Sequence, residues 1–343
     1  MKNSFKNKLL PLSLALKTKG FALILVLWVL SLLTIMAGSF ALSMRRESAI
    51  VAGIKNTAQA AAVAETGVML AELMLMSPDK IKRWQANGVI YQVTDSVLLG
   101  VDNAEVRVRL TAETGKIDIN KADQKLLLAL LAFSPLKNEK EQMQVSSAIL
   151  DWRDQDDLIN IEGAEKKEYL AAGLDYLPRN KPFQTINELQ LVLGMNETLY
   201  QWMLPFVTIY SDKSTVNMAV ASKEVLQVLP DIDHSLIDEY MAARLASTLN
   251  GTPPPNLPID GNASISPNPS AASQGQNDTL SLIAEARLED GSSAIISTVL
   301  KPQQGSANGL AFQVLEWHRN SALQNDSLFT DAINANSLVH FPQ

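Results

Sequence analysis

The sequence predicts an α+β protein: one long N-terminal helix, a small antiparallel sheet packed on its second half, and a large inserted all-α domain. Three observations predict it. Phe21–Leu42 (FALILVLWVLSLLTIMAGSFAL) is 22 residues without a charge. Short apolar runs with strand patterning occur before residue 112 and again after residue 280. Between them lies a long stretch with helical patterning and no comparable strand signal.

The helix comes first. As a helix, 22 residues at 1.5 Å each span about 33 Å, enough for a bilayer core. A secretory signal peptide is the alternative, with Ala37-Gly38-Ser39 as its small-residue cut site. Five lysines (Lys2, Lys6, Lys8, Lys17, Lys19) precede the span, and Arg45, Arg46 and Lys55 follow it. That excess places the N-terminus inside and the body outside. No proline interrupts Met44–Met76, where good helix formers dominate, and Ser77-Pro78 is a stop signal. One helix of about 56 residues, roughly 84 Å long, is expected. Ile50, Ile54, Ala58, Ala61, Val68 and Leu75 fall near a helical repeat on it.

Strands follow. Val89–Val93 is a short candidate, and in Ala104–Thr111 the residues Val106, Val108 and Leu110 alternate with Arg107 and Arg109. Such alternation marks a half-buried strand with one wet face. Ser281–Leu288 and Ala294–Leu300 flank the turn Glu289-Asp290-Gly291, and Phe312–His318 is a third late strand.

The middle is helical and repeats itself. Lys116–Leu130 (KIDINKADQKLLLAL) and Thr215–Leu229 (TVNMAVASKEVLQVL) share a layout: an extended apolar pair, a polar turn, Ala122 or Ala221, then Asp123 or Ser222. Asp and Ser there are N-caps for the helix that follows. A related unit lies between them at Phe183–Tyr210. Short helices joined by tight turns resemble helix-hairpin-helix or SAM-like units. The hairpins Pro230-Asp231-Ile232-Asp233 and Gly194-Met195-Asn196-Glu197 lack a second glycine and carry acids, so no nucleic acid is expected here. Asn250–Asn277 is rich in Pro, Asn, Ser and Gly and reads as a flexible linker. The division is a lysine-rich leader 1–20, helix 21–76, first sheet part 77–114, helical insert 115–249, linker 250–278 and second sheet part 279–343.

Charge and composition narrow the chemistry. The 343 residues carry a net charge of −7; without the leader's five lysines, 24 basic side chains face 36 acidic ones. Such a body repels phosphate backbones. There is no cysteine, which excludes disulfides and thiolate chemistry. His234, His318 and His340 are scattered, and neither a Gly-rich phosphate loop nor a nucleophile elbow is present. The densest polar run is Asp151-Trp152-Arg153-Asp154-Gln155-Asp156-Asp157, followed by Glu162-Gly163-Ala164-Glu165. Asp154, Asp156, Asp157 and Glu165 are candidate calcium ligands, since hard oxygens at this density suit that ion. The spacing is not that of an EF-hand, and a solvated acidic loop with Asp154 capping a turn is the plainer reading. No enzymatic site is expected.

These residues together suggest a family. Lysines, then Gly20-Phe21, then a long apolar helix resemble the class III signal sequences of type IV pilins and pseudopilins. Strand regions interrupted by a helical insert resemble the protein K family of the general secretion pathway, the large minor pseudopilins of type II secretion. So do Ile149–Asp157 (ILDWRDQDD), Gly163-Ala164-Glu165 with Tyr169, Asn187-Glu188-Leu189 to Gly194-Met195, and Leu204–Thr208. The resemblance implies a type IV pilin-like fold and cleavage by a prepilin peptidase between Gly20 and Phe21, with methylation of the new N-terminus. It makes Leu25 the fifth mature residue. Most pseudopilins hold glutamate there, and the member without it sits at the pseudopilus tip. Implied partners are the I and J types of minor pseudopilin (the H type a further candidate), the major pseudopilin, the prepilin peptidase and membrane lipid. The implied setting is the bacterial inner membrane, with a cytoplasmic N-terminus and a periplasmic body. No cofactor is required; Ca²⁺ is the one candidate ion, although Lys166 and Lys167 stand where the family commonly has acids. A minor type IV pilin of the X type is the rival reading.

Overall fold

The computed structural model describes residues 21–79, 82–230, 232–250, 252–256, 278–303, 311–319, 327–329 and 338–340. Two units divide the chain between Asn56 and Thr57. The first contributes the apolar part of helix α1, Phe21–Leu75, and every residue from 21 to 55 is exposed. Helix α1 is the one described helix long and apolar enough to cross a membrane. It ends where Ser77-Pro78 was expected to stop it.

In the second unit α1 buries a face in which small residues predominate: Ala60, Val63, Ala64, Gly67, Val68, Leu70 and Ala71. Of the expected face, Val68 is buried and Ala61 and Leu75 pack against the core, while Ile50, Ile54 and Ala58 are exposed. Closeness, not side-chain size, selected the packing stripe. A Cβ on Gly67 would stand 2.6 Å from Val106 Cγ1, so the helix backbone lies almost against the sheet there.

The sheet has six strands in the order β7-β6-β5-β2-β1-β8. Strands β1 (Asn87–Val93) and β2 (Glu105–Ala112) flank a short helix α2 (Ser96–Leu99) capped by Asp95. Strands β5 (Leu280–Arg287), β6 (Ser293–Pro302) and β7 (Phe312–Arg319) return after the insert. All five pair antiparallel, as expected. The turn between β5 and β6 has Gly291 at φ 85°. The sixth strand, β8 (Leu338–His340), is new and runs parallel to β1, which makes the sheet mixed. Three residues are too few for alternation to register. Val106, Val108 and Leu110 meet Leu282, Ala284 and the small face of α1 in one core.

The insert joins β2 to β5. It holds α3 (Gln124–Leu131), α4 (Glu139–Arg153), α5 (Lys166–Ala171), α6 (Glu197–Met203), α7 (Lys223–Val228) and α8 (Ile237–Leu249). Its core packs Leu127, Leu130, Trp152, Tyr169, Phe183, Leu199 and Leu226. The insert is not purely α: β3 (Ile117–Asp118) pairs parallel with β4 (Val207–Thr208). Each is two residues long, below what sequence patterning reveals. Asp123 accepts from Leu126 N at 2.8 Å and Ser222 from Val225 N at 3.2 Å, so both expected N-caps form. Most of the expected linker, residues 251 and 257–277, lies outside the described residues.

Candidate functional site

The acidic loop begins where α4 ends. Asn138 caps the start of α4, accepting from Lys140 N at 2.9 Å, and Asp154 N closes its end on Leu150 O at 3.1 Å. The loop then runs to Glu165, which precedes α5 and donates its own N–H to Glu168 Oε2 at 3.1 Å. Two fixed helix ends thus hold the loop.

Its centre is Asp151, which is fully buried. Asp151 accepts from Asn160 N at 3.2 Å, from Asn160 Nδ2, and from Ala164 N at 2.7 Å. Gly163 lies so close that a Cβ there would fall 2.0 Å from Asp151 Oδ2. Asp151 belongs to the acidic run but is not among the candidate ligands. The available signal was Ser147 and Asp151, four apart beside the apolar stripe Val145, Ala148, Ile149 and Trp152.

The four candidate ligands divide into two pairs. Asp156 Oδ1 accepts from Leu158 N at 2.9 Å and Asp157 Oδ1 from Asn180 Nδ2 at 2.9 Å, both at exposed positions. Asp154 Oδ1 and both carboxylate oxygens of Glu165 are buried without a hydrogen-bond partner. Burial pushes the Asp154 carboxyl up from 3.8 to about 6, helped by the charges of Asp151 and Asp156. Burial also pushes Glu165 up from 4.5 to about 7, with Asp151, Asp154, Asp157 and Asp156 adding to it. These are orphaned hard oxygens among like charges, a donor set whose chemistry fits a hard cation. Among the described residues, no three His, Asp or Glu side chains stand together closely enough to hold a metal ion as the chain is arranged.

Arg153, beside this loop, points the other way. Its guanidinium donates to Ile119 O and, at 2.5 Å, to Ala122 O, in the turn before α3. The second repeat does the same. Arg244 on α8 donates to Met218 O at 3.3 Å and Ala221 O at 2.6 Å, in the turn before α7. Residues 119 and 122 correspond to 218 and 221 in the repeat, so each copy has its turn carbonyls held by an arginine from a helix later in the chain.

At the N-terminus, Gly20 lies outside the described residues. Phe21 opens α1 and Leu25 follows one turn on, both exposed.

The second unit contains the residues that match a family model. Residues 106–212 match the family model described as Type II secretion system (T2SS), protein K. Type II secretion system protein K of Klebsiella pneumoniae is 29% identical over 214 residues, 58% of this chain and 64% of its own length. That of Pseudomonas aeruginosa is 31% identical over 153 residues, 42% of this chain and 45% of its own. That of Aeromonas hydrophila is 26% identical over 230 residues, 61% of this chain and 69% of its own. The chain therefore spans less than two thirds of the length of the first two relatives. The crystal structure of a GspK-GspI-GspJ complex from enterotoxigenic Escherichia coli aligns at a TM-score of 0.46 and 14% identity, over 80% of this chain and 98% of that one. At that score the likeness carries no weight. By the family model and the curated relatives, the chain is similar to type II secretion system protein K, and the match to the family model runs over residues 106–212, from within β2 to four residues past β4.

Proposed function

We propose that this chain is a minor pseudopilin that initiates or caps the tip of a type II secretion pseudopilus and does no covalent chemistry. The observation that carries the reading is the first unit of α1: exposed throughout residues 21–55 and uncharged from Phe21 to Met44. Such a helix needs lipid around its first part and partner helices around the rest. The proposed place is the inner membrane, with the lysine-rich end cytoplasmic and the body periplasmic. Small residues Ala37, Gly38 and Ala41 let partner helices approach closely. Leu25 favours a terminal position. A carboxylate there would need a partner in lipid, and leucine needs none. The proposed partners are the I and J types of minor pseudopilin, the major pseudopilin and the prepilin peptidase.

Mass spectrometry of the chain made beside its prepilin peptidase tests this. A mature protein beginning with N-methylated Phe21 is expected, and Gly20→Val blocks its formation. Intact Met1, or a cut near Ser39, overturns the reading.

Calcium is proposed as a structural ion of the acidic loop, held through Asp154 and Glu165 with Asp156 and Asp157 beside them. Bound, it would neutralise the like charges that now crowd the buried oxygens. The melting temperature of the full chain in detergent decides. A rise of several degrees on moving from chelator to excess Ca²⁺, lost in Glu165→Gln, is expected. No rise retires the ion.

A further inference from the structure

The face of the sheet turned away from α1 carries a compact set of opposite charges. Arg107 on β2 stands directly across from Glu285 on β5, and Glu105 across from Arg287. Glu105 also accepts from Arg107 Nε at 2.8 Å and from Gln92 Nε2 at 2.7 Å. The alternation along β2 predicts a wet face for Arg107. The structure instead covers it with a segment of the chain's own C-terminal part, Ser327-Leu328-Phe329.

The fit is detailed. Glu285, only 3% exposed, accepts from the Ser327 hydroxyl at 3.0 and 3.1 Å and from Leu328 N. Arg107 Nη1 donates to Leu328 O at 3.0 Å. Both backbone groups of Leu328 are thus read by a charged partner, and its side chain is fully buried. The Phe329 ring lies between two guanidiniums, 4.3 Å from Arg107 Cζ and 4.2 Å from Arg287 Cζ. Charge-assisted hydrogen bonds and cation–π contacts are each stronger than their neutral counterparts.

The position of this site in the sheet gives it a consequence. Strand β7 ends at Arg319 on one edge, and β8 begins at Leu338 on the opposite edge. Ser327–Phe329 is held on the β2–β5 pair, in the middle of that order. It lies eight residues after Arg319 and nine before Leu338. Strand β8 itself has three residues paired to one neighbour, Leu338, Val339 and His340 against Ile90, Tyr91 and Gln92. So short a strand does not hold an edge alone. A segment anchored halfway across raises its effective concentration at β1.

We propose that Arg107, Glu285 and Arg287 form a binding site for Ser327-Leu328-Phe329 and act as a latch that keeps β8 on the edge of β1. With the latch shut, β1 offers no open edge for another strand to join; released, β1 becomes such an edge.

Hydrogen exchange read by mass spectrometry on the full chain in detergent tests it. In Phe329→Ala and Glu285→Ala, amides of Leu338–His340 are expected to exchange at least tenfold faster than in the wild type, with the β5–β6 pairing unchanged. A chain ending at residue 337 is expected to keep the Leu328 amide protected, because the latch lies upstream of the strand. Unchanged exchange at β8 in Phe329→Ala overturns the proposal, and that half-buried ring decides the matter should Glu285→Ala fail to fold. Loss of Leu328 protection in the shortened chain also overturns it, since the strand would then be holding the segment.

Discussion

Asp151 is fully buried, and three N–H groups point at its side-chain oxygens. Removing the acceptor strands buried donors, which costs more than the bond itself was worth. Asp151→Ala is expected to destabilise the chain by about 2–4 kcal/mol, read from urea unfolding. Its neighbours behave oppositely. Glu165 and Asp154 have buried oxygens with no donor, and their carboxyls are raised to about 7 and about 6. For an acid with a raised value the folded state binds its proton more tightly than the unfolded one. The stability this contributes is present below the ordinary values of 4.5 and 3.8 and is lost as pH rises through the raised ones. In chelator, the melting temperature should therefore fall between pH 5 and pH 8, and Glu165→Gln should flatten the upper part of that fall. Asp154 and Glu165 were legible in the sequence as acids in a dense run. That Asp151 is the satisfied member was not, because its donors come from residues 160 and 164.

The helices of the insert were the most legible elements. Asp123 and Ser222 lie next to apolar periodic runs, and an N-cap acts on residues two or three along, so sequence neighbours suffice. The turns before those helices depend on more distant residues. Arg153 and Arg244 lie over 20 residues beyond the carbonyls they hold, and nothing local distinguishes them from other arginines. Burial lowers both guanidinium pKa values, so each charge is retained against a desolvation cost by the oxygens it serves. Arg153→Met and Arg244→Met should each cost about 2–4 kcal/mol and do so independently, since the two turns share no partner. Thermal melts of the single and double variants measure this; a double variant no worse than either single would show one turn depending on the other.

The second unit is held together by two long-range contacts of different kinds. Against the sheet, α1 presents small residues, and Gly67 allows Val106 to reach the helix backbone. A leucine at Gly67 has no room to fold away, so Gly67→Leu should cost at least ~2 kcal/mol and loosen the helix before the insert unfolds. Limited proteolysis near residue 79, faster in the variant than in the wild type, reads this out. At the neck of the insert, buried Glu113 accepts from Lys116 Nζ at 2.7 Å, from Ser281 Oγ at 2.5 Å and from Thr208 Oγ1. Thr114 Oγ1 reaches Asp278 at 3.0 Å, and Arg244 Nη2 reaches Asn87 O at 3.3 Å. The bonds from Glu113 to Ser281 and from Thr114 to Asp278 tie the place where the insert leaves the sheet to the place where it returns, and Arg244 ties α8 to the start of β1.

The amino-acid order alone determined the apolar helix, the alternating strands β1, β2, β5, β6 and β7, the insert between them and its two capped repeats. Each of these depends on periodicity or on residues within a few positions, which local physics specifies. The parallel strand β8, the β3–β4 pair, the small-residue face of α1, the paired arginines and the Ser327–Phe329 latch came only with the folded chain. In every one, the partner lies more than 20 residues away, and the energy that selects it comes from hydrogen bonds and packing made only once both groups are brought together and shielded from water. A single stretch of sequence does not carry that term.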